Sequence, residues 1–276
     1  MREQLVNVLE MSQDDRQKYM CENGNLLISQ LVQNIGVPED ELRDKITYRL
    51  FIELLSYQMF TNEQMVELSI KLIGREYLFK EIDRGETDSV FTRSFSALWL
   101  TGLIHVDTQL HFLTNEQSAN ILEACTSYLN REKDTRGFLG EKGWALAISN
   151  GADLSAAIIS HPSFEVRFAP IILEGIKNSF WKGTVFVNDE EEKLVSIIDK
   201  LIQKDFPQSI LTEWVEQVID KLQFYIMTTG YTPQYFSART NTLHFLKHLY
   251  FHLKFTKHMP ELNNIVSLYI NKWMKQ

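Results

Sequence analysis

The chain has 276 residues, 44% hydrophobic and 23% charged, which excludes a disordered chain, a collagen-like repeat and a disulfide scaffold. Its 28 Lys and Arg stand against 36 Asp and Glu, a formal net charge of -8 and a pI near 5.4. That acidic total opposes broad nucleic-acid binding, which needs cationic surface to displace counterions.

In chain order the pattern is helical almost throughout. The start, MREQLVNVLEMSQDD, has an acid by residue 3 and no apolar h-region, so it does not read as a secretory signal. Apolar spacing predicts helices over 2–10 and 23–35, then over 38–58, where Pro38 and the acids Glu39, Asp40 and Glu41 mark a helix start. Leu50, Phe51, Leu54 and Leu55 recur there at three and four. Thr61-Asn62-Glu63-Gln64 and Thr114-Asn115-Glu116-Gln117 are both Thr-x-x-Gln capping boxes, predicting helices over 61–74 and 114–130, with another over 88–105 between them. Further spans are predicted at 138–149, 151–160, 164–180, 189–204, 207–227, 233–256 and 260–274. Strand alternation is hard to find; Gly183 to Val187 is too short to carry a sheet. The longest uncharged run, Leu222 to Ala238, is too polar to span a membrane, and Ser94 to Val106 is too short. Cys21 and Cys125 read as two reduced, buried thiols of a cytosolic protein.

The fold expected is all-α, one domain over 1–276, an irregular α-α superhelix of antiparallel helix pairs of the HEAT-like helical-repeat kind. Two features favour it over a bundle: the helix count is high, and no central helix reads as apolar all round.

The central segment Glu132 to Leu154 holds four of the twelve glycines and a cluster of small residues over Ala145 to Ala157. Asp153, set among Ala152, Leu154, Ala156 and Ala157, is either a helix cap or a buried, paired carboxylate, with Arg93 and Arg136 as candidate partners. Phe91-Thr92-Arg93-Ser94-Phe95-Ser96, Asp134-x-Arg136-Gly137, Gly143-Trp144-Ala145 and Gly151-Ala152-Asp153 follow in order. With Glu41-Leu42-Arg43-Asp44 before them and Leu246 to Phe251 after, the chain resembles the uncharacterised bacterial proteins of domain of unknown function family 2785. The resemblance implies a conserved polar centre on an all-helical scaffold and no established activity. Similar proteins carry His at the positions of Leu146 and Asn150, as GWAH and HGAD. Two imidazoles four apart on a helix would be a metal or acid-base geometry, so this chain departs from it there.

Near the end, His244, His248 and His252 are spaced as one helical stripe, with His258 beyond. No Asp or Glu lies between Arg239 and Pro260, so a solvated polar face is expected, with no metal. From Arg239 to Gln276 six bases face one acid, a net of +5, against -13 for residues 1–238. The aromatics Tyr235, Phe236, Phe245, Tyr250, Phe251 and Phe255 interleave with these bases and are expected mainly in the core. No GxGxxG, Walker loop, HExxH, GxSxG or CxxC is present, and Ser160-His161-Pro162 lacks the context of a nucleophile elbow.

The function expected is a non-catalytic cytoplasmic binding protein for a protein, peptide or small molecule, needing no cofactor and no membrane. Its pocket would lie around DTRG and GWALAISNGAD, built from Arg93, Asp134, Arg136, Trp144, Asn150 and Asp153. Arg136 would pair an acidic group, Trp144 would form an apolar wall, and Asp153 would orient Arg93 or Arg136. One alternative is a hydrolase-like or metal-assisted enzyme with a degenerate site, Asp134 and Asp153 being its acid-base pair. Another is nucleic-acid contact through Arg239, Lys247, Lys254 and Lys257, which the total charge disfavours.

Overall fold

The computed structural model describes residues 1–275, and the chain is all-helical over them, with no β-sheet among the described residues. Helix α1 (Arg2–Glu10) is followed by α2 (Gln13–Asn34), longer than its apolar spacing predicts. The polar stretch at its start is helical because the Ser12 hydroxyl accepts from the Asp15 amide and caps the first turn. Arg16, buried on that turn, donates to the carbonyls of Val8 (3.0 Å) and Leu9 (2.6 Å), satisfying the end of α1. A π-helical segment, Glu41–Tyr48, runs directly into α3 (Arg49–Ser56). Both Thr-x-x-Gln capping boxes form, opening α4 (Asn62–Leu72) and, after α5 (Ser89–Leu110), α6 (Asn115–Thr126). The short α7 (Tyr128–Arg131) precedes the central loop.

The helix expected over 138–149 does not form. That segment is a clamped loop with a single antiparallel bridge between Phe138 and Trp144 and a 3₁₀ turn at Gly140–Lys142. Gly140 and Gly143 have positive φ, which breaks the helical repeat that the apolar spacing implied. Helix α8 then runs as one piece, Ala147–Ser160, straight through Gly151. Further on lie α9 (Ala169–Ser179), α10 (Glu190–Gln203), α11 (Gln208–Thr229), α12 (Pro233–Thr256) and α13 (Pro260–Met274). The last two match their sequence-based bounds, each opening on a proline at its first turn.

Helix α5 packs along α8, α8 along α10 and α10 along α12; α7 packs on α9, and α11 on α12 and α13. One apolar core runs continuously from Leu5 to Val266, with Trp99 stacked on Phe51 at 4.0 Å. The expectation that no central helix is apolar all round fails for α8, which buries every side chain except those of Asp153, Ala156 and Ser160. Its small residues allow that. A Cβ at Gly151 would sit 2.9 Å from the ring of Tyr128. Both cysteines are free thiols, but Cys21 is exposed on α2 and only Cys125 is buried, where burial pushes its thiol pKa up. No helix among the described residues is long and apolar enough to cross a membrane.

Candidate functional site

The central loop is held by four sets of side chains. Arg93, on α5, is fully buried against Glu132, which follows α7: Nε donates to Oε2 at 2.6 Å and Nη2 to Oε1 at 2.9 Å. The remaining Nη1 donates to the Lys80 carbonyl at 2.9 Å. Glu132 also accepts from the Tyr128 hydroxyl (3.2 Å) and from the amides of Lys133 and Asp134 (2.9 Å each). Burial lowers the Arg93 pKa and the Glu132 hydrogen bond raises it, the net being upward; burial and then Glu132 push the Tyr128 phenol well up. Glu132 is the residue that motif reading passed over, although it lies two positions before Asp134 in the same quoted segment.

Asp134, itself buried, takes Arg136 as its partner. Arg136 Nη2 donates at 2.6 Å, its Nε at 2.9 Å and its backbone amide at 3.0 Å, and the same Nη2 reaches the Thr87 carbonyl at 2.9 Å. This side-chain-to-backbone ring sets the turn that starts the loop. Gly137 comes next because Asn188 lies on it: a Cβ there would be 2.3 Å from the Asn188 amide nitrogen. Asn188 is in turn fixed by Glu190, the first residue of α10, which accepts from its backbone amide (2.9 Å) and its side chain (3.0 Å).

Arg43 closes the other side from the π-helical segment. It is wholly buried, with its guanidinium over the Phe91 ring at 4.1 Å. It donates to the carbonyls of Val37 (2.9 Å), Pro38 (3.1 Å) and Lys142 (2.7 Å) and to Asp40 at 3.3 Å. Burial lowers its pKa while Asp40 and Asp44 oppose that. Gly143 is required here twice over. Its φ is 71°, and a Cβ would lie 1.9 Å from the Asp40 carboxylate that faces Arg43. Gly143→Ala is therefore expected to cost about 2–4 kcal/mol, by left-handed strain plus loss of the Arg43–Asp40 contact. Urea unfolding checks it, with Gly140→Ala as the comparison. That glycine also has positive φ but open space around its Cβ, so it should cost less.

Asn150 donates to the Ser94 hydroxyl at 2.8 Å, and Ser94 donates to the Ala145 carbonyl, joining α8 to α5. Leu146 is not on the helix with it. It is the residue before α8, with left-handed backbone (φ 52°), a conformation that Asn, Asp and His adopt more readily than Leu.

Of the six residues expected to share a pocket, Arg93, Asp134, Arg136, Trp144 and Asn150 belong to this clamp or the loop it holds. Asp153 does not orient Arg93 or Arg136. It faces α10 and pairs Lys193 at 3.0 Å, because its place on α8 points it away from the loop. Asp134 and Asp153 are each tied to a different cation on different elements, so they do not meet as an acid-base pair. Trp144 is exposed, against Phe138 at 5.1 Å between ring centroids. The five clefts described on the surface are lined by other residues.

Elsewhere, the buried His161 faces Asp107 at 2.9 Å through Nε2 and accepts from the Ser163 amide at 3.1 Å through Nδ1. Both ring nitrogens are engaged, which fixes the tautomer and leaves neither for a nucleophile. His252 of the C-terminal stripe is half-buried and meets Asp199 of α10 at 2.9 Å, so the carboxylate missing from its own helix comes from a neighbour. No group of three or more His, Cys, Asp or Glu that could hold a metal ion occurs among the described residues. Of the interleaved aromatics, Tyr235 and Phe245 are core and Tyr250 is half-buried, but Phe236, Phe251 and Phe255 are exposed.

No curated protein and no solved structure matches the chain. The sequence model of the family described as Protein of unknown function (DUF2785) matches residues 78–251. That span takes in α5, the DTRG–GWA loop, α8 and most of α12, leaving only the Asp40 and Arg43 side of the clamp outside it. The chain belongs to this family of proteins of unknown function.

Proposed function

We propose that the protein is a non-catalytic cytoplasmic binding protein that takes a peptide segment of a protein partner on the face of the central loop. Its helices, in this reading, form one domain and an irregular α-α superhelix of antiparallel pairs, of the HEAT-like kind. The order in which α5, α8, α10 and α12 pack side by side supports that. One observation carries the binding reading. Phe138 and Trp144 are 60% and 43% exposed, yet they sit on a loop anchored by two buried arginines, Arg93 through Glu132 at its start and Arg43 through the Lys142 carbonyl further on. A contiguous aromatic pair held rigidly at the surface is the usual anchor of an interface, because its side chains lose little entropy on binding. Beside it, Arg136 is partly exposed, and its Nη1 makes no hydrogen bond to the described residues. The partner segment would set an apolar side chain on the aromatic pair and a carboxylate on Arg136.

The test is site-specific photocrosslinking in cells of the source organism, with a benzophenone side chain at Phe138 and, as control, at the exposed Gln203. A discrete adduct at 138, absent at 203 and lost with Trp144→Ala, supports the reading. No adduct at 138, the same adduct at 203, or one indifferent to Trp144→Ala overturns it.

A further inference from the structure

At the far end of the chain, α11, α12 and α13 enclose a cleft of ≈ 640 Å³ that shares no residue with the clamp. Its volume falls in the range of small-molecule sites. Tyr231 and Phe236 form one wall, stacked at 5.7 Å and 16°, and both are exposed. Trp273 and Tyr269 of α13 form another. Apolar walls left open to water are a feature that a structural role does not explain.

The charges in the cleft have one sign. Arg239 of α12 and Lys272 of α13 line it, and no carboxylate does. Neither cation makes an ion pair or hydrogen bond with a described side chain or carbonyl, although Arg239 is half-buried. This differs from Arg43, Arg93 and Arg136, each of which pairs with a carboxylate of its own. Glu216 and Asp220 lie on α11 next to the lining residues Ile219 and Leu222 but do not line the cleft themselves. They act on Tyr269, whose phenol is raised first by burial and then by these two, so it stays a hydrogen-bond donor. Over the three helices that form the cleft, residues 208–276, seven bases face four acids, a net of +3. That local field favours an anion.

We infer that this cleft binds a small planar aromatic anion, its ring against Tyr231, Phe236 and Trp273 and its acidic group between Arg239 and Lys272. Ring stacking supplies the shape requirement, and a planar guanidinium beside an ammonium supplies the charge requirement for a carboxylate or phosphate.

Calorimetric titration of the full chain with 1-naphthyl phosphate, 1-naphthoate and the neutral 1-naphthamide tests this. Saturable binding of one site is expected for at least one anion, at least about tenfold tighter than the amide, and weaker at high salt. The better of the two anions tells phosphate from carboxylate. Arg239→Gln and Lys272→Gln should each weaken it by about tenfold or more, while Lys254→Gln, on the outer side of α12, should not. All three substitutions leave the core untouched, and thermal unfolding confirms each fold. Equal affinity for the amide, unchanged affinity in both cleft variants, or no saturable binding of either anion overturns the inference.

Discussion

Replacing Glu132 with alanine is expected to lower the free energy of unfolding by about 3–5 kcal/mol, the cost of removing one partner of a buried ion pair. The side chain is wholly buried and accepts from five donors: two nitrogens of Arg93, the Tyr128 hydroxyl, and the amides of Lys133 and Asp134. Alanine leaves the Arg93 charge buried with one carbonyl, that of Lys80, and leaves two main-chain amides without an acceptor. Whole domains are stable by only about 5–15 kcal/mol, so the urea midpoint should fall by a large fraction. A second variant separates charge from hydrogen bonding. Arg93→Met with Glu132→Leu removes both charges, and an apolar replacement of a buried pair is often neutral. Here it should recover only part of the loss, because the two amides remain orphaned. Full recovery would mean that the amides find water and that the pair matters only through charge. A loss below about 1 kcal/mol in Glu132→Ala would show that the loop is not held by this carboxylate.

The same cluster explains which parts of the molecule were legible in the sequence. Helices with an apolar stripe and a written start signal were placed well, since the capping boxes at Thr61 and Thr114 and the prolines at 233 and 260 act locally. The start of α2 was missed because its stabilisation comes from Ser12 and from Arg16 reaching across to α1. The 138–149 stretch misled for the opposite reason: its spacing is helical, but its glycines answer to Asn188 and Asp40, residues distant in sequence. Within the motif, the importance of Arg93, Asp134, Arg136 and Asn150 was visible as polar residues in an apolar setting. Asp134 and Arg136 pair with each other, but the remaining partners were not visible, because Glu132, Ser94 and Thr87 are ordinary residues until the fold brings them together. Asp153 was the plainest case. Its alanine-rich neighbours implied burial against an arginine, and the helix turned it toward Lys193 instead.

Stability should rise with pH between about pH 7 and the ordinary lysine range because of Lys182, and substituting that residue should remove the rise. Its amine donates to the Leu129 carbonyl at 2.7 Å and to the Ser179 hydroxyl at 3.3 Å, beneath the Glu132 cluster. Burial lowers its pKa to about 7, with Glu132 acting weakly against that. In the unfolded chain a lysine titrates near 10.4. Below pH 7 both states hold the proton, and the folded state bears the cost of a buried charge. Between the two pKa values the unfolded chain binds more protons than the folded one, so unfolding becomes harder as pH increases. Integrated from about pH 6 to about pH 9, this one group contributes roughly 2–3 kcal/mol. Lys182→Met loses two hydrogen bonds, a cost of about 1–2 kcal/mol that does not vary with pH. It should therefore equal or exceed the wild type in stability at pH 6 and fall below it at pH 9. Urea unfolding of both proteins at intervals across that range measures the difference, and the other titrating groups cancel in it. Two parallel curves would show that Lys182 keeps its proton in the fold, and that its amine is better solvated than its position among Leu129, Ser179 and Glu132 implies.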